Sequence, residues 1–265
     1  MSTNLEVVAL SVQEEVIEIV KKAGELLLGK AKSGFSICHK GQIDLVTDAD
    51  QSSEEYITGE LAKRFPGLSI LAEEQGRSGC KDAEYLWLVD PLDGTTNFAH
   101  GFTHYAISVA LTKGGKSVLG VIYDPVAREM FTAKLNEGAY LNGQKLQVST
   151  SKDVQQSLFV TGFPYNVAVT NQDNVQTFAK ITKASQGVRL TGSAALNLCY
   201  VACGRVDGYW EKFIKPWDVA AGSLIVSEAG GRLSSYSGDE FSIFQDEVVA
   251  SNGLLHGEMI EFLRG

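Results

Sequence analysis

Val89-Asp90-Pro91-Leu92-Asp93-Gly94-Thr95-Thr96-Asn97-Phe98 follows directly on the apolar run Tyr85-Leu86-Trp87-Leu88. At this point a buried strand gives way to a turn rich in functional groups. Pro91 cannot continue a central ladder, so the chain is expected to leave the sheet with Asp90 at the strand end and Asp93 three residues on, close enough for the carboxylates to converge. Hard oxygen donors at that spacing suit Mg²⁺, which takes a few carboxylates together with waters and a substrate phosphate. Gly94 would let the backbone approach an anion, and Thr95 or Thr96 would open a helix whose free N–H groups bind phosphate. A strand, an Asx turn and a Thr-capped helix explain any one of these residues alone. Two acids, a proline, a glycine and two threonines in this order point instead to metal and phosphate meeting at one turn.

Outward from this stretch, the hydrophobic pattern alternates between helical and strand periods. Val12, Val16, Ile19, Ala23 and Leu27 recur at helical spacing, which predicts a helix from about Val12 to Leu28 opened by a Ser11/Glu14 capping box. A second helix is expected from about Ser52 to Arg64, ended by Pro66-Gly67, followed by a short buried strand at Leu68–Leu71. Between Tyr105 and Leu146, apolar runs of strand length (106–111, 118–123, 130–133, 139–141) are separated by Gly114-Gly115, Asp124-Pro125 and Asn142-Gly143, as in an antiparallel sheet. After Ser149, helices are expected at Phe178–Ala184, Ala194–Cys203 and Trp217–Glu228, with strands flanking them. The reading is an α/β chain in two halves, an N-terminal α+β domain over 1–150 and a C-terminal α/β domain over 151–265.

The 265 residues are 44% hydrophobic and 21% charged, near globular averages, which excludes collagen-like, disordered and disulfide-stapled classes. Lys+Arg of 23 against Asp+Glu of 32 leaves a charge of −9. That balance repels a phosphate backbone, so no nucleic-acid partner is expected. Cys38, Cys80, Cys199 and Cys203 form no C-x-x-C pair, and no two histidines fall at i, i+4, which argues against zinc. There is no basic leader and no apolar stretch of membrane-spanning length, so the expectation is a cytoplasmic protein with no membrane partner.

Further acids precede or end secondary structure. Asp44-Leu-Val-Thr-Asp-Ala-Asp50 sits just ahead of a helix, where Asp and Thr serve as N-caps. Glu73-Glu74 follows a buried strand, where paired like charges are tolerable with a cation between them. Trp217-Asp-Val-Ala-Ala-Gly222 opens a small-residue helix with Asp218 near its start.

Together, Asp44–Asp50, Ala72-Glu73-Glu74, Asp90–Phe98 and Trp217–Gly222 with Glu228-Ala-Gly-Gly231 resemble the signature set of the inositol monophosphatase family, in the family's order and across most of the chain. Gly120–Pro125, Tyr140–Gly143 and Thr161–Pro164 resemble its connecting segments. The resemblance implies alternating helix and sheet layers, with an antiparallel sheet in the N-terminal half and a mixed sheet in the C-terminal half. It implies a first Mg²⁺ on Glu73, Asp90 and the Leu92 carbonyl and a second on Asp90, Asp93 and Asp218, two or three ions in all, with Mn²⁺ as a substitute and with lithium sensitivity. Asp50 and Thr95 match the pair that orients the attacking water, with Glu73 joining them in catalysis and Glu74 beside the site. Glu211 falls where the family binds polyol hydroxyls. Gly192, Ser193 and Ala194 align with another wall of the substrate pocket, which Leu92, Asp93, Gly94, Thr95 and Asp218 also line, and Lys40 lies close to a basic residue of the family. A homodimer is implied as well.

The expected activity is therefore Mg²⁺-dependent hydrolysis of a small phosphate monoester, inositol monophosphate foremost, by activated water and without a covalent phospho-enzyme. The same core in relatives acts on fructose 1,6-bisphosphate, 3′-phosphoadenosine 5′-phosphate, NADP or histidinol phosphate. A non-catalytic, partner-binding protein is the alternative from another class.

Overall fold

A computed structural model describes residues 3–39, 41, 45–170 and 173–264, with side chains from residue 12 onward. Lys40 and Asp44 lie outside the described residues. Helix α1 (Thr3–Ser33) leads through a hairpin of β1 (Ile37–His39) and β2 (Leu45–Thr47) into α2 (Asp48–Arg64). Next come β3 (Ser69–Ala72), β4 (Gly76–Ser78), β5 (Tyr85–Asp93) and the short α3 (Thr95–Ala99). A meander follows: β6 (Ala106–Lys113), β7 (Lys116–Asp124), β8 (Glu129–Lys134), β9 (Gly138–Leu141) and β10 (Gln144–Lys145). The chain continues with β11 (Leu158–Thr161), α4 (Val175–Ala184), β12 (Gly187–Leu190), α5 (Ala194–Ala202) and β13 (Gly208–Lys212). It closes with α6 (Pro216–Glu228), β14 (Arg232–Ser234), β15 (Glu247–Ser251) and α7 (His256–Arg264).

Strand alternation sorts these elements into five layers. In β5, Trp87 and Val89 face α1 and α2, whereas Leu86 and Leu88 face α5 and α6. In β13, Tyr209 faces the same α5/α6 layer, and its neighbour Trp210 points the other way, into the core under α4 and α7. Side chains of opposite parity serve opposite faces because a strand alternates with period two. The order is thus α1/α2, an eight-stranded sheet (β10-β9-β8-β7-β6-β5-β3-β4), α5/α6, a five-stranded sheet (β12-β11-β13-β15-β14), and α4/α7. The larger sheet is antiparallel except for the parallel pair β3 and β5, and the smaller one is mixed.

Three expectations are corrected locally. Helical backbone already runs from Thr3, so Ser11 lies inside α1 and not at its start. Helix α2 begins at Asp48, four residues before the expected Ser52, because Thr47 caps it and Asp50 completes the capping box by accepting from the Thr47 N–H. Strand β5 does not end at Asp90. It continues to Asp93, with the register against β6 shifting between Asp90 and Asp93, so Pro91 is accommodated in an irregularity of the ladder. Ser53 of α2 donates to the Pro91 carbonyl at 2.9 Å and holds that irregularity in place.

Candidate active site

The period of β5 that sends Leu86 and Leu88 toward α6 places Asp90 on the same face. Asp90 pairs in register with Ser108 of β6, and the Ser108 hydroxyl donates to the Trp217 carbonyl at 3.2 Å, at the start of α6. Asp218 is one residue further, its Oδ2 accepting from the Lys215 N–H at 2.7 Å in the first turn of α6. Burial, then repulsion from Glu73, Asp93 and Asp218, pushes Asp90 well above the ordinary carboxylate range. Burial, then Asp93, with further repulsion from Glu73 and Glu211, does the same to Asp218. Five acids distant in sequence therefore share one electrostatic environment.

Asp93 sits over the N-terminus of α5. Its carboxylate accepts from the Ser193 hydroxyl, from the Ala195 N–H at 2.8 Å and from the Ala194 N–H at 3.2 Å. Burial nevertheless lifts its pKa to about 6. Ser193 also caps α5 through the Leu196 N–H, so the segment 192–194, expected as a pocket wall, in addition holds Asp93 in place. Gly94 has a structural role as well. Gly94 caps α3 with φ of 99°, and a Cβ there would lie 3.1 Å from the His104 carbonyl and 3.2 Å from that of Gly192. Left-handed backbone and close packing between the two halves of the chain demand glycine here.

Asp50, fully buried, projects from α2 toward the same turn. Its Oδ2 accepts from the Thr47 hydroxyl at 2.6 Å and the Thr47 N–H at 2.7 Å, and its Oδ1 accepts from the Thr95 hydroxyl at 2.8 Å. Thr95 Oγ1 also lies 3.1 Å from the Leu92 carbonyl. A hydroxyl has one proton, and donating it to Asp50 leaves the Thr95 oxygen free to accept from a water. Burial raises Asp50, opposed by these hydrogen bonds.

Sequence reasoning missed Glu54. It is buried on α2 one turn after Asp50, and its two oxygens accept from the Glu74 and Gln75 N–H groups at 2.8 and 2.7 Å. Glu54 thereby fixes the turn that presents Glu73, while the Glu73 N–H donates to the Val89 carbonyl at 3.2 Å. The available signal was the i, i+4 pairing of Asp50 with Glu54 in line with the buried Ile57 and Leu61.

Glu211 of β13 lies farther along the cleft. It accepts from the Tyr209 hydroxyl at 2.6 Å, and burial lifts it to about 7. A Cβ on Gly162 would come 2.2 Å from Glu211 Oε1, so a side chain there would displace this carboxylate. A cavity of about 380 Å³ lined by Asn97, Gly162 and Gly192 opens alongside. Asn174, also missed, anchors the loop above it. Its side chain donates to Thr161 Oγ1 and the Gly162 carbonyl, both at 3.1 Å, and accepts from Trp210 Nε1 and the Tyr236 hydroxyl, both at 3.1 Å.

Among the described residues, Asp90, Asp93 and Asp218 form no ion pair with Lys, Arg or His. Asp90, Asp93 and Asp218, buried and with no counter-charge paired to them among the described residues, fit a hard divalent cation. Among the described residues, no three His, Cys, Asp or Glu side chains are gathered closely enough to hold a metal ion by themselves. The fit therefore rests on donor chemistry and burial, as for an ion that completes its shell with water and substrate.

Residues 9–264 match the model of the inositol monophosphatase family. The chain is 42% identical to an inositol-1-monophosphatase of Synechocystis, covering 94% of this chain and 88% of that one. It is 37% identical to the Nus factor SuhB of Escherichia coli, covering 94% of each. The structure of an inositol monophosphatase from Anabaena superposes with a TM-score of 0.89 at 39% identity, covering 99% of this chain and 97% of that one. Shared architecture, near-complete coverage and a buried acidic cleft lead to one assignment: the chain belongs to the inositol monophosphatase family.

Proposed function

We infer that this protein hydrolyses a small polyol phosphate monoester, inositol monophosphate foremost, with Mg²⁺ as its ion. The family is metal-dependent and acts on small phosphate monoesters. The observation that carries the reading is the set of buried, mutually repelling carboxylates next to the Thr95–Asp50 hydrogen bond. Glu73, Asp90 and the Leu92 carbonyl would hold one Mg²⁺, and Asp90, Asp93 and Asp218 a second. When bound, the ions supply neutralisation of the phosphoryl charge and acidification of water.

The chain's own residues do the rest. Thr95 accepts a hydrogen bond from the attacking water while its hydroxyl donates to Asp50, which aims the water's lone pair at phosphorus. The Thr47 hydroxyl and N–H keep Asp50 oriented for that role and oppose the upward push of burial on its pKa. Backbone N–H groups of Gly94 and Thr95 position phosphoryl oxygens as charge develops on them. Glu211, braced by Tyr209, accepts from hydroxyls of the alcohol in the space that Gly162 leaves open. The Gly192–Ala194 segment closes the opposite wall.

A phosphate-release panel tests this reading, using inositol monophosphates, glycerol phosphate, AMP, fructose 1,6-bisphosphate, 3′-phosphoadenosine 5′-phosphate, NADP and histidinol phosphate with and without Mg²⁺. Turnover that requires Mg²⁺ and favours the inositol esters is expected. A partner-binding role is the second reading, favoured by the 37% identity to a protein named as a Nus factor. Absence of release from every ester would select it.

A further inference from the structure

A cavity of about 730 Å³ lies away from the acidic cleft, between α1 and the strands β7, β8 and β9. None of Asp50, Glu73, Asp90, Asp93, Asp218 or Glu211 lines it. Its origin is a change in how α1 rides on the sheet. At Gly24 the helix is so close that a Cβ would meet the Tyr123 ring at 2.7 Å. One to three turns earlier, Gln13, Ile17 and Lys21 line the cavity along one side of α1, with Met130, Thr132 and Tyr140 of the sheet among the residues across from them. The i, i+4 spacing keeps these three α1 residues in one row.

The charge of this lining is opposite to that of the chain. The protein carries a net −9, yet the cavity presents Lys21, Arg128 and Lys134 against a single carboxylate, Glu137. Glu137 is already engaged by Lys134 at 2.5 Å. Lys21 and Arg128 form no ion pair among the described residues. Arg128 stands in left-handed backbone, φ 57°, at the mouth of the β7–β8 turn. Its charge reaches the Tyr123 hydroxyl, whose pKa burial raises and Arg128 draws back. Two cations without an ion pair among the described residues, beside apolar and aromatic walls, match an amphipathic anion, and the volume is that of a small-molecule site.

We propose that this cavity is a second ligand site, separate from the acidic cleft, that takes a phosphate monoester with its phosphate on Lys21 and Arg128 and its organic portion on Ile17, Met130 and Tyr140. The inference does not depend on the proposed activity. Titration calorimetry on the full chain in EDTA, where no divalent ion can draw anions to the carboxylates, tests it with inorganic phosphate, glycerol 3-phosphate and AMP as probes.

Saturable binding of at least one ester, tighter than that of inorganic phosphate, is expected. The double variant Lys21→Ala/Arg128→Gly should weaken it about tenfold or more, the scale of losing hydrogen bonds to charged groups. Both replacements suit their backbone, alanine in a helix and glycine at positive φ, so the fold is retained. Glu211→Ala should bind the esters as the parent chain does. Failure of both esters to bind at millimolar concentration, affinity no better than that of inorganic phosphate, or indifference to the double variant would overturn the proposal. Loss of all phosphatase activity in the panel above would leave it standing.

Discussion

The Asp93 carboxylate, at the end of β5, accepts a hydrogen bond from the Ala195 N–H at 2.8 Å, in the first turn of α5. Two residues about a hundred positions apart thus join the large sheet to the helical layer beneath it, and the joint lies within the candidate active site. Asp93→Asn preserves shape and removes the charge. Phosphatase activity is expected to fall several hundredfold or more, on the scale of about 4 kcal/mol of electrostatic stabilisation. Steady-state kinetics with Mg²⁺ saturating checks this; near-normal turnover would contradict the two-ion reading.

The Thr95 hydroxyl donates to Asp50, and in the proposed reaction it would link the attacking water to that carboxylate. Thr95→Val keeps the volume but removes the proton relay, and kcat should drop about 10²-fold or more, the usual contribution of positioned acid–base groups. Thr95→Ser retains the hydroxyl and should keep most of the rate. Equal activity in the two variants would show that the hydroxyl is idle.

Binding of Mg²⁺ should relieve the repulsion among Glu73, Asp90, Asp93 and Asp218. The thermal midpoint should therefore rise with Mg²⁺ and fall on chelation, by mass action on the folded state. Asp90→Asn should lose most of this dependence. A midpoint indifferent to Mg²⁺ in the parent chain would sink the metal assignment without reference to any substrate.

Asn174→Ala would leave Trp210 Nε1 and the Tyr236 hydroxyl buried without their acceptor. At about 1–3 kcal/mol for each orphaned donor, a loss of roughly 2–6 kcal/mol is expected. Urea unfolding measures it directly, and a loss of about 0.5 kcal/mol or less would mean that water replaces the amide.

His256 is buried between two serines, with Nδ1 2.9 Å from Ser251 Oγ and Nε2 2.8 Å from Ser234 Oγ. Burial, with a smaller contribution from Arg232, lowers its pKa from 6.5 to about 4. The unfolded chain therefore binds this proton more readily than the native one, and stability should decline as pH falls from about 6.5 toward 4. His256→Gln should flatten that slope. Melting curves of both chains across this range, compared as a difference, separate His256 from Asp90, Asp93 and Asp218, whose raised values act with the opposite sign. Parallel curves would refute the assignment.

Much of this fold was legible because side-chain period follows burial. The 3.6-residue spacing of Val16, Ile19, Ala23 and Leu27 marks the face that α1 buries, and the runs at 106–141 mark the meander of β6 to β9. Element ends were less legible. Ser11 resembles a cap, yet capping energy is local and small, and helical backbone continues past it. Pro91 signals the end of a strand, but a shifted register and the Ser53 hydroxyl let β5 run on to Asp93.

The sequence alone determined the composition of the candidate site: acids in Asp90–Asp93, Glu73 and Asp218, a hydroxyl at Thr95, and glycine at 94, because residue type sets which charges and which backbone conformations are available. Only tertiary structure decided what holds them. Glu54 grips the turn after Glu73, α5 carries Asp93, and Asn174 pins the loop beside Glu211. Those contacts join positions from 12 to 102 residues apart, and no local pattern encodes which buried acceptor will meet which backbone donor once the layers close.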